Sequence, residues 1–157
     1  EAMTGQPMNP ITLEPGTEFR TRPRAMTRER MRWYVDAQPT IAADDGRVHT
    51  QPPTIHDDDE YARSQGLPGI IADGMISTNW IQGLLVDVFG AQFACRSRLQ
   101  TKYIAPIYED QIVTACARVA TATRNENGAS VYTLEVWCED DTSKKLTVGS
   151  AMVELPV

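Results

Sequence analysis

The strongest constraint on the fold lies in residues 74–89. Apolar side chains recur there at Ile76, Trp80, Ile81, Leu84, Leu85, Val88 and Phe89. Steps of three, four and seven describe a helix and not a strand. So much apolar surface on one helix must be wrapped by other apolar elements. Gly90 is a helix stop. Asp73 is an N-cap type of side chain, and Gly74 lets another group approach the backbone closely. Upstream lies a short polar stretch, Thr54-Ile55-His56-Asp57-Asp58-Asp59-Glu60-Tyr61-Ala62, followed by the Gly/Pro bend at residues 65–69. The chain therefore carries a histidine loop just ahead of a buried helix N-terminus.

Beyond this helix the period changes to two. Strands are expected at residues 96–104, 111–122, 131–138 and 146–153. Between the second and third, Asn127-Gly128 is a strong hairpin signal. In the third, Tyr132, Leu134, Val136 and Cys138 share one face. The fourth follows a polar turn at residues 139–143. Short turns between successive strands imply antiparallel pairing, and a helix followed by such a meander is an α+β pattern. Before the histidine loop, residues 1–16 read as an irregular lead-in with Pro7, Pro10 and Pro15. Residues 17–21 read as a short strand ended by Pro23. Thr27 reads as the N-cap of a helix of about ten residues, with Met31, Tyr34 and Val35 on its apolar side. Residues 36–55 form an extended loop, long enough to suggest a flap over a site or a contact with a second subunit.

A length of 157 residues suits a single domain spanning 1–157. No apolar run is long enough for a membrane span. Residues 1–16 lack the basic-then-apolar layout of a signal peptide. The formal net charge of −6 argues against nonspecific nucleic-acid binding. Three widely spaced cysteines, Cys95, Cys116 and Cys138, read as buried thiols of a reducing cytosol, and with only two histidines no metal site is expected.

The segment from Ile55-His56-Asp57-Asp58 through Tyr61-Ala62 to Ile71-Ala72-Asp73-Gly74-Met75 resembles the active-site stretch of the MaoC-like proteins, the (R)-specific enoyl-CoA hydratases and dehydratases. Their pattern is Asp-x-Asn-Pro-aliphatic-His-x-Asp, then an aromatic residue and Ala, then aliphatic-Ala-His-Gly-Met. The separation from His56 to Gly74 matches without a gap, and Tyr108-Glu109-Asp110 resembles the family's link between strands, with Glu109 in place of a glycine. The resemblance implies an α+β hot-dog fold, an antiparallel sheet wrapped around a central helix. It also implies a homodimer or a larger assembly of dimers with the site near the subunit interface. The substrate it implies is an acyl thioester of coenzyme A or a carrier protein, with no further cofactor.

By the same match, His56 is the catalytic acid/base and Gly74 N–H the oxyanion donor. Gln51, Asp58, Tyr61, Met75 and Asn79 would surround the substrate. Two positions depart from the pattern. The family aspartate falls on Gln51, which can hold a water but cannot take a proton near neutrality. The histidine before the helix glycine is replaced by Asp73, which reads either as an N-cap or as a relocated carboxylate. Asp36, Asp44 and Asp45 offer further carboxylates, while His49 lacks a comparable context. Two functions follow: a hydratase or dehydratase with an atypical site, or a non-lyase protein that binds, regulates or hydrolyses thioesters. A third is other chemistry in the same pocket, such as cyclisation or isomerisation.

Overall fold

The computed structural model describes residues 13–37 and 53–156. The chain enters through two short strands, β1 (Glu18–Arg20) and β2 (Arg24–Ala25), and a helix, α1 (Arg28–Asp36). Thr27 caps α1 through its side chain, which accepts from Arg30 N–H. The short helix α2 (Asp59–Ser64) follows the histidine loop and leads into the long helix α3 (Gly74–Phe89). A short helix, α4 (Ala91–Cys95), precedes four strands: β3 (Ser97–Tyr103), β4 (Ile112–Arg124), β5 (Ser130–Asp140) and β6 (Lys145–Leu155).

The strands form one antiparallel sheet in the order β1-β4-β5-β6-β3, with β2 also pairing with β4. Register shifts between Val119 and Thr121, and between Cys138 and Glu139, are irregularities of the kind that bend and twist strands. They suit a sheet that curves around a helix. Both hairpin turns are built by side chains acting on backbone. Asn125 Oδ1 accepts from Asn127 N–H and Ala129 N–H, each at 3.0 Å, and Gly128 takes φ 80°. Asp140 Oδ1 accepts from the Thr142 hydroxyl and from Thr142 and Lys144 N–H, which holds its carboxyl below the ordinary value.

Helix α3 lays Ile76, Ile81, Leu84, Leu85 and Phe89 into the core. It packs chiefly on β4, where Ala115 and Ala117 keep the sheet surface low enough for close approach. In β5, Tyr132, Leu134, Val136 and Cys138 are all buried, as their alternation predicts. Trp137 is buried on the opposite face beneath the Arg118 and Lys145 cations, and its Nε1 donates to Glu139 at 2.6 Å.

Two elements differ from the sequence reading. Gly90 ends α3, yet the chain turns at φ 67° straight into α4. Phe93 then stacks on Phe89 with ring centroids 6.5 Å apart, so the residues after Gly90 serve the core before the strands begin. Strand β2 is the other, a short pairing after Pro23 that adds a second contact along β4. Among the described residues, no helix is long and apolar enough to cross a membrane.

Candidate active site

His56 is set by a tight turn. Asp57 Oδ1 accepts from Thr54 N–H at 2.7 Å and from the Thr54 hydroxyl at 3.0 Å, while Thr54 Oγ1 accepts from His56 N–H at 3.1 Å. These local bonds are what short Thr and Asp side chains offer the backbone. Asp58 then caps α2 by accepting from Tyr61 N–H at 2.7 Å. The chain returns past this turn on its way to α3. Ile71 N–H donates to Ile55 O at 3.0 Å, Ala72 N–H donates to Ile107 O at 2.9 Å, and Ile71 also bridges to Tyr108.

The return places the Ile71 carbonyl 2.9 Å from His56 Nδ1. A carbonyl oxygen only accepts, so Nδ1 carries the hydrogen. The lone pair of the neutral ring is then on Nε2. The histidine loop and the start of α3 border one cleft of about 590 Å³, lined by His56, Asp73, Gly74, Tyr103 and Thr147 among others.

At the head of α3, Asp73 is the N-cap. Its Oδ1 accepts from Met75 N–H at 2.8 Å, and its carbonyl accepts from Ile76 N–H at 3.0 Å. Gly74 N–H has no acceptor among the described residues, and it belongs to the first turn, whose N–H groups point out of the helix end. The Gly74 carbonyl is tied down from inside. It accepts from the Ser77 hydroxyl at 2.7 Å, and Ser77 Oγ lies 2.8 Å from Thr147 Oγ1. With the Ser77 proton spent on Gly74, Thr147 is the donor in that pair. This stitches the helix head to β6.

Tyr103, at the end of β3, is a cleft residue the sequence reading did not single out. A Cβ built on Gly74 would lie 2.6–2.7 Å from three Tyr103 ring carbons. The space freed by the glycine is therefore filled by an aromatic ring. The Tyr103 hydroxyl reaches Thr78 Oγ1 at 3.0 Å and Met75 Sδ at 3.1 Å. Tyr34 on α1 also approaches this end of α3. Burial first, then the nearby negative charge of Asp73, pushes its phenol above the ordinary value, opposed by a hydrogen bond with Asn79.

The structure thus brings together His56, Asp73 and Gly74, and adds Tyr103 and Thr147. Asp58 borders a separate hollow with Arg32, Asp36 and Asp57. Tyr61 and Met75 are 39% and 43% exposed, and neither lines the cleft. Asn79 faces a further hollow beside Trp33, Tyr34 and Trp80. Gln51, Asp44, Asp45 and His49 lie outside the described residues.

No protein-family model matches the chain, and no curated protein matches it. Solved structures do. The R-hydratase PhaJ1 from Pseudomonas aeruginosa superposes with a TM-score of 0.68 at 15% identity, covering 92% of this chain and 83% of that one. A MaoC-like dehydratase from Rhodospirillum rubrum gives 0.68 at 17% identity, over 91% of this chain and 92% of that one. The HadBC (3R-hydroxyacyl-ACP dehydratase) complex from Mycobacterium tuberculosis gives 0.66 at 15% identity, over 91% and 98%. The antiparallel sheet packed on α3, and its likeness to these structures over nearly the whole length, identify the fold of this chain as the hot-dog fold.

Proposed function

We propose that this chain is a hydratase or dehydratase of acyl thioesters, carried on coenzyme A or a carrier protein. One observation carries the reading: an imidazole with its lone pair on Nε2 borders the same cleft as an unbonded N–H at the head of a helix. In hydration, Nε2 takes a proton from water as the oxygen bonds to the β-carbon. The electron pair of the double bond moves toward the thioester, and its oxygen becomes negative. Gly74 N–H, at the positive end of α3, holds that charge. The imidazolium then returns the proton to the α-carbon, so one water is added and the base is restored. Dehydration is the reverse.

Asp73 serves here as a positioning residue. Its bond to Met75 N–H fixes the first turn and keeps one carboxylate oxygen occupied. The neighbouring structures named for hydratases and dehydratases support the reaction class, and the HadBC complex supports association of two such chains. We infer a homodimer, or an assembly of dimers, working in the cytosol without a further cofactor.

The decisive assay supplies crotonyl-CoA and longer enoyl-CoAs and follows loss of the conjugated thioester absorbance. Turnover is expected, with His56→Ala losing about 10²–10⁴ in rate. Asp73→Asn, which keeps a capping oxygen, is expected to stay within about threefold of the parent. A hundredfold loss would make Asp73 a proton carrier instead.

A second reading is a thioester-binding, regulatory or thioesterase protein. It is favoured by Gln51 standing where the family has its aspartate. Binding of acyl-CoA with no change in the conjugated absorbance, or release of free thiol, would replace the first reading with this one.

A further inference from the structure

The Glu109 that stands in the β3–β4 link has a partner far along the chain. Arg28, the first residue of α1, donates from Nε to Glu109 Oε1 at 2.8 Å and from Nη2 to Glu109 Oε2 at 2.5 Å. The same guanidinium donates from Nη1 to Asp59 Oδ2 at 2.9 Å and from Nη2 to Asp59 Oδ1 at 3.4 Å. One planar fork thus holds two carboxylates from two other elements, a geometry an ammonium cannot reproduce. Asp59 does not stop there. Its Oδ1 also accepts from Ile70 N–H at 3.0 Å. Ile70 is buried, so this N–H would be left without an acceptor if Asp59 let go. Gly69 leaves room for the contact, since a Cβ there would come within 3.0 Å of Asp59 Oδ1.

The next residue is Ile71, whose carbonyl accepts from His56 Nδ1. We propose that Arg28 is a positioning residue for His56: by gripping Asp59 and Glu109 together it fixes the 69–72 segment, and through the Ile71 carbonyl it selects the imidazole tautomer with the lone pair on Nε2. This rests on the reading of His56 as the base. The clamp reaches the segment from both sides. Asp59 holds Ile70, while Glu109 anchors the link whose Ile107 carbonyl accepts from Ala72 N–H at 2.9 Å. Electrostatics agree with a formed clamp. The hydrogen bonds from Arg28 hold the carboxyls of both Asp59 and Glu109 below their ordinary values, and Glu109 followed by Asp59 raises the guanidinium. Arg28 touches nothing that reacts, so its effect passes through backbone.

The test uses the whole chain labelled with ¹⁵N at histidine. The sequence has only two histidines, and the His49→Asn variant identifies the His56 signals. Neutral His56 is expected as the Nδ1–H tautomer in the parent. In Arg28→Ala and Asp59→Ala it is expected to become a mixture of tautomers, with kcat on an enoyl-CoA lowered about 10–100-fold and KM little changed. Asp59→Asn, which retains an oxygen for Ile70 N–H, is expected to recover most of the tautomer. Circular dichroism checks the fold. Where an alanine variant fails to fold, Arg28→Lys and Glu109→Gln carry the same comparison. Folded Arg28→Ala, Asp59→Ala, Arg28→Lys or Glu109→Gln chains in which His56 keeps the parent tautomer overturn the proposal, whatever their rates. A parent that turns over no enoyl-CoA, yet loses its tautomer when the clamp is cut, sinks the hydratase reading and leaves the clamp standing.

Discussion

Gly74 shows how one residue can be needed for two separate reasons. Its N–H is the oxyanion donor of the proposed reaction, and its missing side chain makes room for the Tyr103 ring. The reasons can be pulled apart. Gly74→Ala drives a methyl to 2.6–2.7 Å from three ring carbons, one of them Cγ, so the ring cannot escape by a small swing of its far end. Overpacking of this kind typically costs about 1–3 kcal/mol. The gain in helix propensity from Gly to Ala, under about 1 kcal/mol and smaller still in the first turn, does not offset it. Urea unfolding should therefore show Gly74→Ala to be destabilised, with most of the loss recovered in the Gly74→Ala/Tyr103→Ala double variant. Two single losses that simply add would mean that the ring and the glycine are not coupled. Close approach at this glycine was foreseeable from its place at the start of an apolar helix. That an aromatic ring from residue 103 would fill the space was not, because no local pattern links the two positions.

Among the elements, strand β3 is the one most dependent on a single small residue. It lies at the edge of the sheet and pairs with β6 alone among the described strands. Gly149 sits opposite Thr101 in that pairing, and a Cβ on Gly149 would fall 2.0 Å from the Gln100 carbonyl oxygen. A backbone oxygen cannot rotate away, so Gly149→Ala must push β3 off β6. The expected cost is about 3 kcal/mol, the upper end of ordinary overpacking. Hydrogen exchange should show the loss first in the amides of β3, while those of β4 and β5 stay protected. Equal loss across all strands would argue against a local displacement. Elements whose cause is local could be read from the string: the capping of α1 by Thr27, the cap at Asp73, the Asn127-Gly128 turn and the alternation of β5. Elements whose cause is a distant partner could not. The two-residue β2 exists because β4 is there to pair with it. Helix α4 exists because Phe93 finds Phe89 across Gly90. The same divide runs through the site. His56, Asp73 and Gly74 fall within one continuous stretch and were recognisable together, whereas the Arg28–Glu109 pair spans 81 positions.

For the molecule as a whole, the two buried cysteines report how well the sheet excludes water on either face, Cys138 against α3 and Cys116 beside Trp137 on the other side. Cys116 and Cys138 are buried as expected, whereas Cys95, at the end of the short helix α4, is exposed. Burial pushes the Cys116 thiol up to about 11 and the Cys138 thiol up to about 12, from an ordinary 9.0. A thiol whose folded pKa is raised binds its proton more tightly in the folded chain than in the unfolded one. Its contribution to stability is thus fully present below about pH 9 and is lost as pH rises toward 11 and 12. Each such group can remove up to about 1.4 kcal/mol per pH unit across that window. Lysine and tyrosine ionisation also act at high pH, so the informative measurement is a difference between variants. The fall in thermal midpoint between pH 9 and 10.5 should be shallower in Cys116→Ala than in the parent, even though the variant begins less stable at pH 7. A second readout follows from the same burial. At pH 8 an aromatic disulfide reagent should modify one thiol per folded chain, at Cys95, and all three once urea unfolds it. Rapid modification of Cys138 in the folded protein would mean that the layer between α3 and β5 opens readily to solvent. In that case the head of α3, stitched to β6 through Ser77 and Thr147, would be too loosely held to present Gly74 N–H as a fixed donor.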